Sequence, residues 1–457
     1  MKTEIACIRL GKVHVIVVTC PEIGQEILRR QDAVFSSRPV QMCTEIATSG
    51  YLTVALTPNG DQWRKIRRVL VSEVFSVERH HWLHEKRIEV VDHITGFMYN
   101  LCSIGEQGGI VNVRNVAQHY CANLLRKLIF DKIFFGKGTI DGGPGMEEIE
   151  YVDSLFKILG HINAFSISNY LPWLRPFDLD DHEKILRNAM KILTKYNDVV
   201  IDERIHDSIT EKKEEARDIL DILIQLADPS NDDAPLLTPT EIKAQIHEMM
   251  FAAVDNPSHA VEWALAEMIN QPMILNSAVE ELDNVVGRNR LVQESNIPKL
   301  NYVNACAKEA FRLHPVAAFN LPHVSTADTN VAGYFIPKGS HVLVSRRGLG
   351  RNPKIWKDPL QYKPERHLKL DATQVVLDDR TLRVFSFGIG RRGCPAFLLG
   401  STMTTMLLAR LLHGFTWAPP PGISSINLAE SKYDSLLSEP LLGLAKPRFP
   451  KHMYPTV

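Results

Sequence analysis

The segment Thr238-Pro239-Thr240-Glu241 opens the helix that constrains this chain more than any other feature of its sequence. It offers an N-cap hydroxyl, Pro at the first helical position and Glu at the third, the pattern of a capping box. Apolar residues recur at Ile242, Ile246, Met249, Met250 and Ala253, and the pattern resumes from Ala260 to Ile269 beyond Pro257. The spacing predicts one long central helix over residues 238–270. Pro257 lacks an N–H and its ring crowds the carbonyl of Ala253, so a kink with an opened turn is expected there.

Around this helix the pattern is mainly helical. Residues 147–159 and 185–201 show 3.6-residue periodicity, preceded by a Gly/Pro-rich loop over 136–145. Trp63, Ile66, Arg67 and Leu70 share one helical face, residues 301–313 form a helix stopped by Pro315, and residues 397–412 form an apolar one. Residues 8–10 and 13–18 read as strands joined at Gly11-Lys12, and residues 333–336 and 340–345 as further strand pieces. Polar stretches over 207–218 and 228–235 bracket a short apolar helix and read as exposed loops. The fold class is mainly α with small sheets (α+β), with no internal repeat and no regular βαβ alternation.

Composition excludes several functions. At 45% hydrophobic and 23% charged, the 457 residues suit a large core and not a disordered or collagen-like chain. The formal net charge of -1 leaves no global field to draw nucleic acid or anionic lipid. Seven scattered cysteines without a C-x-x-C pair argue against a disulfide framework or zinc ribbon, and for a reducing compartment. No stretch reaches the roughly 18 to 20 apolar residues of a membrane helix. The start is no signal peptide either, because residues 5–19 alternate like strands and carry Arg9, Lys12 and His14.

Gly388-x-Gly390-x-x-Gly393 matches a dinucleotide fingerprint, which needs an acidic residue about 20 positions on to hold a ribose. No Asp or Glu occurs between Cys394 and Glu430. The remaining pattern is Phe387-x-x-Gly390-x-Arg392-x-Cys394, a glycine-bent loop presenting a cysteine at the start of an apolar helix. A helix N-terminus and a guanidinium favour thiolate over thiol, and such a thiolate can be the axial ligand of a haem iron. The loop resembles that of the cytochrome P-450 superfamily, with Ala396 where the family usually has glycine.

That resemblance runs over essentially the whole chain. It implies a single domain in which residues 1–40 and 333–345 contribute to a β-rich lobe and residues 385–413 supply the haem-ligand loop and the helix after it. Glu309-x-x-Arg312 with Arg366 looks like the family's buried triad, whereas Glu214-x-x-Arg217, with the same spacing in a charged stretch, reads as a surface pair. Trp63 and Arg67 are similar to residues that donate to a haem propionate, and His323 to a further donor. Arg64, Lys65, Arg68 and Arg391 could present a basic face to a reductase. Asp255 and Asn256 stand where most members have an acid and then threonine in proton delivery.

Asn256-Pro257-Ser258, Val261-Glu262-Trp263-Ala264, Phe319-Asn320-Leu321-Pro322-His323 and Pro364-Glu365-Arg366-His367 resemble one plant branch, the amino-acid N-monooxygenases that form aldoximes in the cyanogenic glucoside, glucosinolate and volatile-nitrile pathways. The resemblance implies haem b ligated by Cys394, O2, and electrons from NADPH through a separate NADPH-cytochrome P-450 reductase. It implies a hydrophobic L-amino acid, of the phenylalanine, valine or isoleucine class, hydroxylated twice at nitrogen. Expected pocket residues are Val316, Ala317, Phe319 and Leu321 within 316–321, Ala252 within 251–255, and segments 42–51 and 436–437. Members carry a membrane anchor and a Pro-rich hinge ahead of this first strand, on the cytosolic face of the endoplasmic reticulum. A truncated form, soluble or weakly membrane-bound, is therefore expected. A carbon-hydroxylating or peroxide-rearranging member, or a haem protein without catalysis, stays open as an alternative.

Overall fold

The computed structural model describes residues 3–103, 108–162, 164–210, 215–227, 236–369, 373–432 and 435–457. The long helix runs from Pro239–Asn270. Its capping box is formed: Glu241 N–H donates to Thr238 Oγ1 at 3.2 Å, and Thr238 N–H to Glu241 Oε2 at 2.8 Å. The helix is continuous through Pro257, so the expected opening is no break in it. Only one intrahelical bond is lost with the missing N–H, the one to Ala253 O, and beside it Ser258 Oγ donates to Val254 O at 2.6 Å. Most of its side chains are buried around the whole circumference, Trp263, Leu265 and Met268 completely.

Helices His84–Ser103, Val113–Phe130, Met146–Ile162, His182–Thr210, Asn301–Leu313 and Phe397–Gly414 build the main apolar core with it. The polar stretch 207–218 is only partly loop. Residues up to Thr210 continue a helix, and Asp218 is a buried N-cap of Ile219–Gln225, paired with Arg204 at 2.8 Å. Residues 228–235 and Glu214 of the expected surface pair lie outside the described residues.

A second apolar cluster forms under a four-stranded sheet ordered Ile5–Leu10, Val13–Val18, His341–Val344, His323–Val324. Val13–Val18 and His341–Val344 are parallel, with Val15 opposite His341; the other pairs are antiparallel. Tyr334–Ile336 pairs separately with Thr329–Val331. Ile110–Asn112, Leu442–Pro447 and Phe415–Ala418 make a third sheet. Among the described residues no helix is long and apolar enough to cross a membrane.

Candidate functional site

A cavity of about 260 Å³ lies between the long helix and the Cys394 loop. One wall is a stripe at helical spacing, Met249, Ala252, Ala253 and Asn256, with Pro257 beside it. Another is the loop itself, whose bend depends on glycine. Gly388 and Gly390 take φ of +70° and +73°, and a Cβ at Gly390 would sit 2.0 Å from Leu28 O. Cys394 N–H donates to Phe387 O at 2.8 Å. Arg392 donates from Nε to Ser36 O at 2.6 Å and from Nη2 to Thr57 O at 2.7 Å, and its guanidinium lies 4.0 Å from the Trp63 ring centroid. Arg67 Nη1 donates to Gly393 O at 2.6 Å. Ala396 in place of the usual glycine has φ of -102°, an ordinary conformation for any L residue, so the change imposes no strain.

The charges around the cavity are unbalanced. Arg38, Arg67, Arg346 and Arg392 line it together with a single carboxylate, Glu248. Glu248 accepts Val54 N–H at 2.9 Å and Ala55 N–H at 3.0 Å. Burial depresses Arg38 and Arg346 to about 10 and Arg392 to about 8, the last with repulsion from Arg38 and Arg67. Burial pushes the Cys394 thiol up, against the Ala396 N–H and the Arg67 charge, so a cation at Sγ is what would favour thiolate. A flat cofactor with a central cation and two carboxylates at one edge answers both demands. The residues present therefore fit a haem.

Trp63, Arg67, Ala252, Asn256, Leu321, His323, Phe387, Arg392 and Cys394 all reach this cavity, while Gly390 shapes the loop from its outer side. His323 departs from its expected part. Its Nδ1–H donates to Phe35 O at 2.7 Å, and burial with the Arg38 charge holds it well below the usual histidine value. A neutral ring so placed offers Nε2 as an acceptor, and donates there only when an incoming anion raises its proton affinity.

Asp255 and the expected pocket residues Val316, Ala317 and Phe319 do not line the cavity, and neither do 42–51 or 436–437. The segment at 318–320 is hydrogen-bonded to the strand end, with Asn320 N–H donating to Val344 O at 3.1 Å and Arg346 N–H to Ala318 O at 2.9 Å. Phe319 is 38% exposed and stays out of the cavity, whereas Leu321 lines it. The basic face is also thinner than expected. Lys65 pairs with Glu241, Arg64 with Asp61 at 2.6 Å and Arg391 with Asp32 at 3.4 Å, leaving Arg68 alone of the four without an ion pair among the described residues.

Glu309, Arg312 and Arg366 form the expected cluster away from the cavity, and His367, unassigned from sequence, joins it with Nε2 2.7 Å from Glu309 Oε2. Leu125, Met249, Arg38, Glu248 and Arg346 line the cavity and were not foreseen. Met249 alone carried a signal, its place on the stripe of Ala252 and Asn256.

The family model for cytochrome P-450 matches residues 2–445. A tyrosine N-monooxygenase of Sorghum bicolor is 53% identical over 458 residues, 100% of this chain and 82% of that protein. Isoleucine N-monooxygenase 1 of Lotus japonicus is 53% identical, covering 100% and 85%. A phenylalanine N-monooxygenase of Arabidopsis thaliana is 52% identical, covering 100% and 86%. A zebra fish cytochrome P-450 solved with progesterone superposes with a TM-score of 0.79 at 22% identity, over 97% of this chain and 96% of that one, a likeness of fold.

Proposed function

Because this chain belongs to the cytochrome P-450 family, we propose that it hydroxylates the nitrogen of an L-amino acid twice and releases the aldoxime. The observation that carries this reading is Cys394 and the Asn256 turn sharing one apolar cavity, in a chain more than half identical to amino-acid N-monooxygenases. Haem held by Cys394 supplies the redox chemistry that activates O2. Each hydroxylation takes one O2, two electrons and two protons and releases water. The N,N-dihydroxy acid then loses water and CO2.

The chain's residues do the rest. Arg67, Arg392 and Arg38 would neutralise the cofactor's carboxylates, and the Trp63 indole N–H would donate to one of them. Met249, Leu125 and Leu321 keep bulk water from the reacting nitrogen. Electrons reach the site from NADPH through a separate reductase, on the cytosolic face of the endoplasmic reticulum, as the family resemblance implies. The test is a panel of L-tyrosine, L-phenylalanine, L-tryptophan, L-valine and L-isoleucine with reductase and NADPH. Aldoxime and CO2 in equal amounts from at least one are expected. A carbon-hydroxylated product alone would replace this reading with the carbon-hydroxylating one.

Asn256 serves in proton delivery. Its side-chain amide has no hydrogen-bond partner among the described residues, and it lines the cavity. A neutral amide is a poor acid, so it acts by holding a water, beside the Ala253 carbonyl that Pro257 leaves without its usual donor. Asn256→Leu removes donor and acceptor together. Aldoxime formed per NADPH is expected to fall roughly tenfold or more, with peroxide released instead and haem content unchanged. Unchanged coupling would make Asn256 a packing residue.

A further inference from the structure

The cations lining the cavity fall into two groups. Arg38, Arg67 and Arg392 direct N–H groups to backbone carbonyls, Arg38 to Ala55, Leu321 and Pro322 at 2.9 Å each, and they act on one another electrostatically. Arg346 stands apart. It follows the strand His341–Val344, its guanidinium lies 5.5 Å from the Phe385 ring centroid, and none of its side-chain N–H groups has a hydrogen-bond or ion-pair partner among the described residues. Its Nε is fully buried in that condition. The electrostatic partner that acts on it is Asp255, which belongs to the long helix beside Asn256.

The same stretch of wall holds two more unsatisfied groups. Asn320 Oδ1 accepts Val344 N–H at 2.8 Å, and its Nδ2 is buried without a partner. Ser386 Oγ, next to Phe385, is likewise buried and unpaired. Buried polar groups in folded proteins are nearly always satisfied, and exceptions that gather at a cavity mark where a ligand completes the set. A guanidinium, an amide NH2 and a hydroxyl are all donors. Their complement is an oxyanion, and a planar carboxylate matches the guanidinium fork.

We propose that Arg346 binds the α-carboxylate of the amino-acid substrate, supported by Asn320 and Ser386. This deepens the function proposed above and rests on it. The cofactor's carboxylates already have Arg38, Arg67, Arg392 and Trp63, whereas Arg346 is coupled to the helix turn where Asn256 sits. The carboxylate is the group every α-amino acid shares, and it is one carbon from the nitrogen that reacts. Anchoring it fixes the nitrogen and leaves the side chain to the apolar lining of Met249, Leu125 and Leu321. The same contact discriminates an amino acid from its amine, because without the carboxylate the buried Arg346 Nε stays without a hydrogen-bond partner.

The test is equilibrium dialysis of the haem-loaded protein against labelled L-tyrosine, L-phenylalanine and L-isoleucine, and against tyramine, phenethylamine and 2-methylbutylamine. Arg346→Gln is expected to weaken amino-acid binding roughly 10- to 100-fold, the effect of losing charge-assisted hydrogen bonds, and to leave the amines unaffected. Arg346→Lys keeps the buried charge without the fork and should lose about tenfold, so the question stays answerable if the Gln variant does not fold. Equal losses for acids and amines would overturn the proposal, and so would a variant that loses haem while its loaded fraction binds amino acids normally. If the wild type binds amino acids and both variants match it, this inference fails alone. If the wild type binds none of them, the functional reading fails with it.

Discussion

Cys394→Ala is expected to abolish the strongly red-shifted Soret band that the reduced protein shows with carbon monoxide, and all aldoxime formation with it. Cys394 is the only cysteine lining the cavity among the described residues. Cys121 and Cys306 are fully buried in the helical core and do not line the cavity, so neither thiol can reach an iron held there. Cys306→Ala therefore leaves the band intact. The loop should survive loss of the thiol, because its path is held by Cys394 N–H on Phe387 O, Arg392 on Ser36 O and Thr57 O, and Arg67 on Gly393 O, none of which involves sulfur. Any haem retained by the alanine variant would be held through its carboxylates and apolar face. A persistent red-shifted band in that variant would remove Cys394 as ligand.

The sequence was most legible where chemistry is local. A capping box lies within four residues and the ligand loop within eight, and both appear where the pattern put them. The Asn301–Leu313 helix agrees to the residue because Pro315 ends it. Helix Val113–Phe130 was not foreseen. It is buried on nearly every face and carries His119, Asn123 and Arg126 inward, so polar and apolar residues alternate without one stripe. Its Arg126 is tolerated only because Glu148, from the helix Met146–Ile162, reaches it.

The site divides the same way. Cys394 and Asn256 announce themselves in short motifs. Arg38, Glu248 and Arg346 come from segments far apart in sequence, and their common destination is set by packing that no spacing encodes. Lys65 looked free for a reductase because its partner, Glu241, is 176 residues away and was already assigned to the capping box.

Glu309→Gln is expected to destabilise the folded protein by about 3 to 5 kcal/mol, because it leaves Arg312 in the core without its counter-charge. Both residues are fully buried. Glu309 accepts Arg312 Nε and Nη2 at 2.7 Å each, Arg366 Nε at 2.9 Å and Lys363 N–H at 2.9 Å. Burial by itself would raise its proton affinity, yet the Arg312 hydrogen bonds and charge hold it at about 2. Burial also keeps His367 below its usual value, so that ring donates to Glu309 as a neutral N–H and the depression belongs chiefly to Arg312. A carboxyl that titrates near 4.5 unfolded and about 2 folded contributes stability that is complete above its unfolded value and is lost as pH falls through the folded one. That contribution is on the order of 3 kcal/mol at neutral pH. The glutamine variant, having no such proton to take up, should show both a lower urea midpoint at pH 7 and a shallower loss of stability between pH 5 and pH 2. Because the cluster does not line the cavity, amino-acid affinity of the protein that remains folded should be unchanged. A variant as stable as wild type at pH 7, or one that loses stability in acid just as steeply, would show that Arg312 has another counter-charge and that the cluster is not what holds the cavity-side scaffold together.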